Sequence, residues 1–341
     1  MGTHRMTIAV VSHDAGCSEL LCAMISKHRD DVLWHIFAHP QSPMTIICER
    51  SNLVFTPIDD AQKQLEILKP DVLFFGTGWQ EKVERPYIDY CKQHAIPTVA
   101  FLDHWSSYRE RFGYPEVNWE KNCGDFTAVH DEKALKLALD FDLPHPIALP
   151  NLYLQKLIAA ATVKAISPTQ NLLFLSEPTD VVAKATYGNE NHWGFTQYTV
   201  LEDIFKNFTK FGCAAITIRL HPSEISSGFK KIMKKYPHIR VQINDAKTFD
   251  LTDQLLNAKV ILGFNTMALY TAALMGKNVI SYLPSHNRDC LLPIPASQQL
   301  RTLKDLKTSI LSPISLSLND FGMDFALFLE TLQRAFNERT A

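Results

Sequence analysis

Short apolar runs alternate with helical stretches along most of the chain. The runs typical of strands cover residues 8–11, 34–38, 71–75, 98–102 and 126–129, and then 171–175, 215–220, 240–243, 259–262 and 278–282. Strands that are this apolar and separated by helices are typical of parallel sheets covered on both faces. The pattern therefore predicts an α/β fold with two Rossmann-like domains.

Compact polar turns follow several of the predicted strands in each half. Ligands of open parallel sheets bind at the carboxyl ends of the strands, so we expect the functional residues in these turns. One set of turns in each half suggests that the two domains face each other across a cleft.

The chain length sets the number of domains. A single core seldom grows large enough for 341 residues, so two domains are expected. Because a proline-dotted stretch at 142–169 joins the halves, we predict domains at 1–165 and 166–317. The remaining segment, 318–341, forms a separate last element.

This last element has apolar side chains along one helical face. They are Phe321, Phe325, Phe328, Leu329, Leu332 and Phe336. So many aromatic side chains need a large apolar surface to cover, and we predict that the terminal helix packs back on the first domain.

Composition and charge narrow the class of protein. With 46% hydrophobic and 21% charged residues the chain is typical of a soluble globular protein, and its net charge of -2 does not favour nucleic acid or anionic lipid. Its seven cysteines are scattered and form no C-x-x-C pair, which argues for a reducing compartment. No run reaches the ~20 apolar residues that span a bilayer. These features predict a cytoplasmic protein with, at most, peripheral membrane association.

The turn after the first strand carries two titratable groups. His13 and Asp14 precede Gly16, whose missing side chain lets a ligand approach the backbone before a helix begins. Asp14 is a candidate catalytic residue, while His13 and Gly16 are candidates for substrate binding. The alternative is that Asp14 or Ser12 only caps the helix.

The densest group of polar and aromatic residues follows the strand at 98–102. Asp103 and His104 place a carboxylate beside an imidazole, which suits proton abstraction, so both are candidate catalytic residues. Trp105, Tyr108 and Arg109 are candidates for substrate binding. In the structural alternative, Trp105 and Tyr108 anchor the core and Arg109 or Arg111 forms a salt bridge.

The second half offers two candidate anion sites. The first is the turn with Arg219, His221, Pro222 and Glu224, in which cationic side chains at a strand end can contact a phosphate. The second is Asn265 and Thr266 at the start of a helix, where backbone amides point outward. As an alternative, either residue of this second pair simply caps the helix.

The spacing of metal-ligand side chains gives no sign of a metal site. Asp140 and Asp142 have D-x-D spacing but lie in an apolar run, and the histidines are too dispersed for zinc. We therefore predict no metal and no cofactor.

The second half resembles the nucleotide-donor domain of GT-B-fold glycosyltransferases, especially the bacterial sialyltransferase-like enzymes of surface-polysaccharide biosynthesis. The resemblance rests on Arg-Leu-His-Pro-Ser-Glu at 219–224 and on Gly-Phe-Asn-Thr at 263–266 with the helix that follows. It implies that His221 and Pro222 contact the nucleotide phosphate, and that Asn265 and Thr266 replace a hydroxyl pair. The acidic motif that supplies the base in sialyltransferases is missing, so Asp14 and Asp103 are the substitutes.

The leading hypothesis from the sequence is a metal-independent glycosyltransferase of lipopolysaccharide or capsule biosynthesis. It would move a sugar from a nucleotide-activated donor, with a CMP-linked acidic sugar as one candidate, to a glycan or lipid-linked glycan held by the first domain. Asp14 or Asp103 would remove the acceptor proton, and His221 would stabilise the leaving phosphate. The alternatives are an epimerase or hydrolase of the UDP-N-acetylglucosamine 2-epimerase type and a non-catalytic nucleotide-binding protein.

Overall fold

The computed structural model describes residues 5–78, 82–164, 168–245, 248–304, 306, 311–314, 316–318 and 321–340, with backbone alone for 336–340. The chain divides into two compact units. Unit 1 comprises Met1–Lys156 and Asn319–Ala341, and unit 2 comprises Leu157–Leu318. The predicted boundary at 165/166 lies outside the described residues.

Unit 1 contains a seven-stranded sheet. Its strands are β1 (Thr7–Val11), β2 (Leu33–Ala38), β3 (Thr56–Pro57), β4 (Val72–Gly76), β5 (Thr98–Phe101), β6 (Phe126–Val129) and β7 (Pro146–Ala148). They lie in the order β3-β2-β1-β4-β5-β6-β7, and every pairing is parallel. Because the order reverses between β1 and β4, the sheet has the doubly wound topology of a Rossmann-like domain.

Unit 2 contains a six-stranded sheet with the same arrangement. Its strands are β8 (Asn171–Leu175), β9 (Ala215–Arg219), β10 (Val241–Asn244), β11 (Val260–Gly263), β12 (Val279–Tyr282) and β13 (Gln299–Leu300). They lie in the order β10-β9-β8-β11-β12-β13, again parallel throughout. The order reverses between β8 and β11. The predicted α/β fold with two Rossmann-like halves is therefore confirmed.

Helices connect the strands in both units. They are α1 (Ala15–Lys27), α2 (Pro43–Arg50), α3 (Ala61–Leu68), α4 (Arg85–Gln93), α5 (Glu132–Asp140), α6 (Leu152–Thr162), α7 (Thr179–Tyr187), α8 (Gln197–Lys206), α9 (Ser227–Met233), α10 (Leu251–Asn257), α11 (Met267–Leu274) and α12 (Phe325–Thr340). Polar side chains accept the first free amides of many of them, as Asp131 does for α5 and Asp250 for α10. No helix in the described ranges is both long and apolar enough to cross a bilayer.

The sequence pattern missed the shortest strands. β3 and β13 have two residues each and β7 has three, so none is long enough to show an apolar run. All three lie at the outer edges of their sheets, where a strand pairs with a neighbouring strand on one side only.

The terminal helix α12 belongs to unit 1. Phe325 stacks on His28 and Trp34 at 4.2 and 5.7 Å between ring centroids, and Phe328 packs at 5.8 Å from Phe74. Leu332 is buried in the same core cluster. The helix therefore completes the core beneath the first sheet, as predicted; the Phe336 side chain lies outside the described residues.

α12 begins later than the predicted residue 318. Gly322 has a φ of +113°, which interrupts helical geometry, and Asp324 Oδ1 then accepts the Leu327 amide at 2.9 Å. This turn also ties the segment to the sheet, because the Met323 amide donates to the carbonyl of Ala148.

Truncating Phe328 tests how much unit 1 depends on α12. The Phe328 side chain is fully buried, so Phe328→Ala should lower the free energy of unfolding by about 3–5 kcal/mol. The matched control is Leu327→Ala in the same helix, where the side chain is 45% exposed and the cost should stay near 0.5 kcal/mol, roughly the usual surface effect. Urea unfolding followed by circular dichroism measures both, and equal costs would contradict the assigned packing.

Candidate functional site

Both sheets place polar side chains where the strand order reverses. In unit 1 the loops after β1 and β4 lead away in opposite directions, and in unit 2 the loops after β8 and β11 do the same. Such a reversal opens a crevice at the carboxyl ends of the strands, which is where doubly wound sheets bind ligands.

A buried ion pair holds the unit 1 loops together. Arg111 Nη1 lies 2.6 Å from Asp103 Oδ1 and also donates to the carbonyl of Thr77 at 2.8 Å. Its Nε donates to the carbonyl of Ser106. One guanidinium thus joins the loop after β4 to the loop after β5.

The ion pair makes Asp103 a poor base. Burial alone would raise the pKa of Asp103, but the adjacent Arg111 outweighs it and holds this pKa below its ordinary value. The carboxylate is therefore ionised and strongly stabilised. This setting does not support the predicted role of Asp103 in removing a proton. A permanent negative charge at Asp103 can instead raise the pKa of neighbouring acidic groups.

Asp14 has the opposite electrostatic setting. Burial and the negative charge of Asp103 raise the pKa of Asp14, although Arg111 partly offsets them. Its backbone is extended at the start of α1 but its side chain makes no capping hydrogen bond, so the alternative role as a helix cap is not supported. Two neighbouring carboxyl groups whose pKa values are pushed apart are typical of acid–base sites.

Gly16 is required by a close approach. A Cβ atom at this position would lie 1.7 Å from Asp103 Oδ2, so any side chain would displace the carboxylate. Gly16 therefore makes room for Asp103, and its predicted contact with substrate stays a prediction.

The two candidate histidines of unit 1, His13 and His104, lie next to Asp14 and Asp103 along the chain. The backbone amide of His13 donates to Glu84 Oε1 at 2.9 Å, and its Nδ1 is buried without a hydrogen-bond partner among the described residues. His104 Nδ1 lies 3.1 Å from the hydroxyl of Ser106. Both remain candidate site residues.

The structure buries two of the predicted substrate-binding aromatic residues. Trp105 donates its indole N–H to the Asp131 carboxylate at 2.9 Å, and the Tyr108 hydroxyl donates to the carbonyl of Ala134. Both side chains are almost fully buried. Their role as core anchors, the structural alternative, therefore replaces the predicted contact with a sugar. Arg109 packs its guanidinium over the Phe141 ring at 5.3 Å, and its Nε is buried without a hydrogen-bond partner among the described residues, so its predicted contact with substrate stays a prediction.

In unit 2 a carboxylate that the sequence analysis missed lies at the reversal. Glu177 follows β8, and its Oε1 accepts the backbone amide of Asn265 at 2.7 Å. Its Oε2 lies 3.4 Å from Arg288 Nη2. Glu177 follows an apolar strand, the same signal that singled out the other turns.

Arg288 is a second missed residue. Its guanidinium lies over the Trp193 ring at 4.4 Å, and its Nη1 is buried without a hydrogen-bond partner among the described residues. A buried guanidinium N–H group that lacks an acceptor is suited to an incoming anion. No sequence pattern connects Trp193, Glu177 and Arg288, which come from three separate loops.

The carboxamide of Asn265 is already committed. Its Nδ2 donates to the carbonyl of Asp289 and its Oδ1 accepts the amide of Leu291. Asn265 therefore orders the loop that carries Arg288 and is not available to bind phosphate directly, contrary to prediction. Thr266 caps α11 through the amide of Ala268, as the alternative proposed, and its side chain remains partly exposed.

The turn after β9 is organised by Glu224. Its carboxylate accepts the backbone amide of His221 and the hydroxyl of Ser176, each at 2.8 Å. Burial raises the pKa of Glu224 to about 7. Glu224 therefore holds the turn in place, and nothing in this geometry supports direct contact with a nucleotide. Pro222 is exposed within the same turn.

His221 is held as a neutral imidazole. Partial burial lowers its pKa, although the side chain is exposed at one edge, and Glu177 opposes this effect. Nδ1 accepts the Ser223 amide at 3.3 Å and lies 2.8 Å from the Ser223 hydroxyl. With Nδ1 as the acceptor of both contacts, the ring proton is assigned to Nε2. This tautomer offers an N–H donor to a ligand.

Arg219 lies outside this group. Its Nη1 donates to the carbonyl of Phe249 at 2.8 Å, beside the segment that leads into α10. Its side chain shares the face of β9 with Thr217, since alternate residues of a strand point the same way. The predicted phosphate contact of Arg219 is therefore not supported.

No cluster of three or more His, Cys, Asp or Glu side chains suited to a metal occurs within the described residues. The polar groups that the geometry leaves as candidate site residues are Asp14, the Asp103–Arg111 pair, His221 and Arg288.

Comparisons with known proteins identify the fold. No protein-family profile matches the chain, and no curated protein sequence matches it. Among solved structures it is similar to S. aureus MnaA with UDP, with a TM-score of 0.65 at 11% identity over 97% of both chains. It is also similar to the UDP-GlcNAc 2-epimerase of Neisseria meningitidis bound to UDP-GlcNAc, with a TM-score of 0.57 at 12% identity over 81% of this chain and 82% of that one.

A further similar structure is Anabaena HepE in complex with UDP and glucose. Its TM-score is 0.55 at 10% identity, over 82% of this chain and 81% of that chain. At such low identities these likenesses establish the GT-B fold of the chain and leave its activity to be tested.

Removing Arg111 tests the buried ion pair. Arg111→Met leaves Asp103 buried without its counter-charge and should lower the free energy of unfolding by about 3–5 kcal/mol. Adding Asp103→Leu should restore most of that loss, because the orphaned charge is gone. Lys136→Met, which breaks an exposed pair with Asp140, is the control and should cost no more than about 0.5 kcal/mol. A double variant as unstable as Arg111→Met alone would show that the pair does not carry this energy.

Proposed function

We propose that this protein is a nucleotide-sugar enzyme that acts on a UDP-linked sugar. The proposal rests on the GT-B fold and on polar residues at the reversal of each sheet. Three similar structures contain UDP or UDP-GlcNAc. In this proposal unit 2 binds the nucleotide, and unit 1 supplies the acid–base group.

The observation that carries the proposal is the contrast between Asp14 and Asp103. Asp103 is fixed as an anion by Arg111, and burial together with the charge of Asp103 raises the pKa of Asp14. A carboxyl group with a raised pKa is closer to the operating pH and exchanges protons more effectively in a transition state. Asp14 is therefore our candidate for the catalytic acid or base.

Binding of the diphosphate is assigned to the loops of unit 2. Arg288 has a buried N–H group without an acceptor, and His221 presents Nε2–H from a neutral ring. The hydroxyl and the helix start at Thr266 add a third donor group. Charge-assisted and neutral donors together suit an anion that must leave the sugar during reaction.

We favour epimerase or hydrolase chemistry of the UDP-N-acetylglucosamine 2-epimerase type over glycosyl transfer. Such a reaction needs an acid–base group at the sugar and no acceptor. The aromatic residues expected to hold an acceptor, Trp105 and Tyr108, are buried. Glycosyl transfer, the surface-polysaccharide role and a CMP-linked donor stay predictions from the sequence.

Incubation with UDP-GlcNAc in D2O, without an acceptor, tests the proposed reaction. Epimerisation at a carbon replaces its C–H bond, so the product should carry solvent deuterium, which NMR detects. Asp14→Asn should lower kcat by about 10²–10⁴-fold, because general acid–base groups contribute this much. Asp30→Asn, at an exposed position, is the control and should leave kcat unchanged.

Three other results would each contradict the proposal in a different way. Unlabelled product formed only when a glycan acceptor is present would identify a glycosyltransferase. Tight UDP binding without turnover of any nucleotide sugar would identify a binding protein. Full activity of Asp14→Asn would remove Asp14 from the mechanism while leaving the substrate class intact.

The pH dependence of kcat/KM tests the link between the two carboxyl groups. If ionised Asp14 is the base, kcat/KM falls as the pH drops through its raised pKa. Asp103→Asn removes the negative charge that raises this pKa and frees Arg111 to lower it, so the acid limb should move to lower pH. Circular dichroism at each pH separates this effect from unfolding. An acid limb that stays in place would rule out the coupling.

A further inference from the structure

One face of the unit 2 sheet is unusually polar. Residues at alternate positions of a strand share a face, and the register aligns Leu173 of β8, Thr217 of β9 and Gln242 of β10. Asn171 and Asn244 lie on the same face at the two ends of this region. Strands of parallel sheets are usually apolar on both faces, so a face with three carboxamides and a hydroxyl needs an explanation.

A cavity of about 480 Å³ opens over this face. Its volume falls within the range of roughly 300–1,000 Å³ that is usual for small-molecule sites. The strands form its floor, and α10 with the segment before it forms its wall. Its lining includes Asn171, Thr217, Phe249, Asp250, Asp253 and Gln254.

Gln254 carries a polar group that the protein does not satisfy. Both Oε1 and Nε2 of its carboxamide are out of contact with solvent, and neither has a hydrogen-bond partner in the described part of the chain. Buried polar atoms in folded proteins almost always have partners, and exceptions point to an occupant that is not part of the chain. Gln254 lies on α10, in the wall of the cavity.

The charge of the lining does not favour phosphate ligands, and the Arg219 guanidinium nearby already donates to the carbonyl of Phe249 at 2.8 Å. The lining residues include Asp250 and Asp253 but no Lys, Arg or His. The two carboxylates face Lys164, at 3.8 and 2.5 Å, so they are not free to select a cation either. What remains is a set of carboxamides and hydroxyls, which both donate and accept, beside the partly exposed ring of Phe249.

We propose that this cavity binds a neutral sugar at a site separate from the nucleotide site. Hydroxyl groups of a sugar can pair with the Thr217 hydroxyl and, once the Gln254 side chain rotates toward the cavity, with its unpaired carboxamide. The Phe249 ring offers an apolar face to a pyranose. The cavity lies over the face of β8–β10, whereas Glu177, His221 and Thr266 follow the carboxyl ends of β8, β9 and β11. The two sites can therefore be occupied at the same time.

The test is calorimetric titration of the full chain with N-acetylglucosamine, N,N′-diacetylchitobiose and maltose, each with and without saturating UDP. At least one sugar should bind saturably, with a Kd that UDP leaves unchanged. Gln254→Leu and Thr217→Val should each raise that Kd by about tenfold, since each removes hydrogen bonds to the ligand. Gln93→Leu makes the same chemical change at an exposed position of unit 1 and should leave the Kd unchanged.

Thermal unfolding without sugar separates binding from a structural role. Gln254 has no partner to lose, so Gln254→Leu should not lower the Tm. A lowered Tm together with unchanged sugar binding would overturn the proposal. So would the absence of saturable binding by all three sugars, binding of uridine in their place, or a sugar site that saturating UDP blocks. The last two results would leave the proposed enzymatic function intact.

Discussion

The parallel direction of the paired strands is the constraint on which the rest of the structure depends. Because the strands of each sheet run the same way, all their carboxyl ends lie along one edge, and the reversals at β1/β4 and β8/β11 separate the loops there. Residues distant in sequence, such as Glu177 and Asn265, meet only because their strands are neighbours. Strand order, and not any single sequence motif, therefore determines which residues lie together at each site.

Electrostatics then sorts the residues that this edge brings together. In unit 1 the guanidinium of Arg111 keeps the Asp103 carboxylate charged. Burial and the negative charge of Asp103 then raise the pKa of Asp14. In unit 2 a carboxylate, Glu177, holds both a backbone amide and Arg288. Acidic groups organise both sites, although the overall net charge of the chain is only -2.

The sequence predicted the central strands and the turns well because both depend on local pattern. Apolar runs of four or five residues mark β1, β4, β8 and β11, and the turns after β1 and β11 were chosen correctly as positions at the reversals. The pairing of side chains could not be predicted in this way. A one-turn helix at Glu110–Phe112 places Arg111, and not Arg109, against Asp103, and the spacing of the two arginines does not distinguish them.

Two features of the sequence indicate a polar sheet face and buried aromatic residues, although the overall pattern predicts otherwise. Ala-Ile-Thr-Ile-Arg in β9 and Val-Gln-Ile-Asn in β10 alternate apolar and polar residues, which indicates a strand with one polar face. The prediction of helices over both faces of the sheet does not include such a polar face. Trp105 and Tyr108 stand among charged residues, and for this reason the sequence predicts that they bind substrate. Each side chain has a single polar atom, however, and such aromatic side chains are well suited to burial beside one hydrogen-bond acceptor.

The position of α12 in the chain has a consequence for biosynthesis. Phe325, Phe328 and Leu332 complete the core of unit 1, yet they are encoded after the whole of unit 2. Translation proceeds at about 5–20 residues per second. Trp34 and Phe74 therefore lack their contacts with Phe325 and Phe328 while Leu157–Leu318 emerges from the ribosome. Unit 2 can reach its native state first, while nascent unit 1 keeps an apolar surface exposed until the last helix has been synthesised.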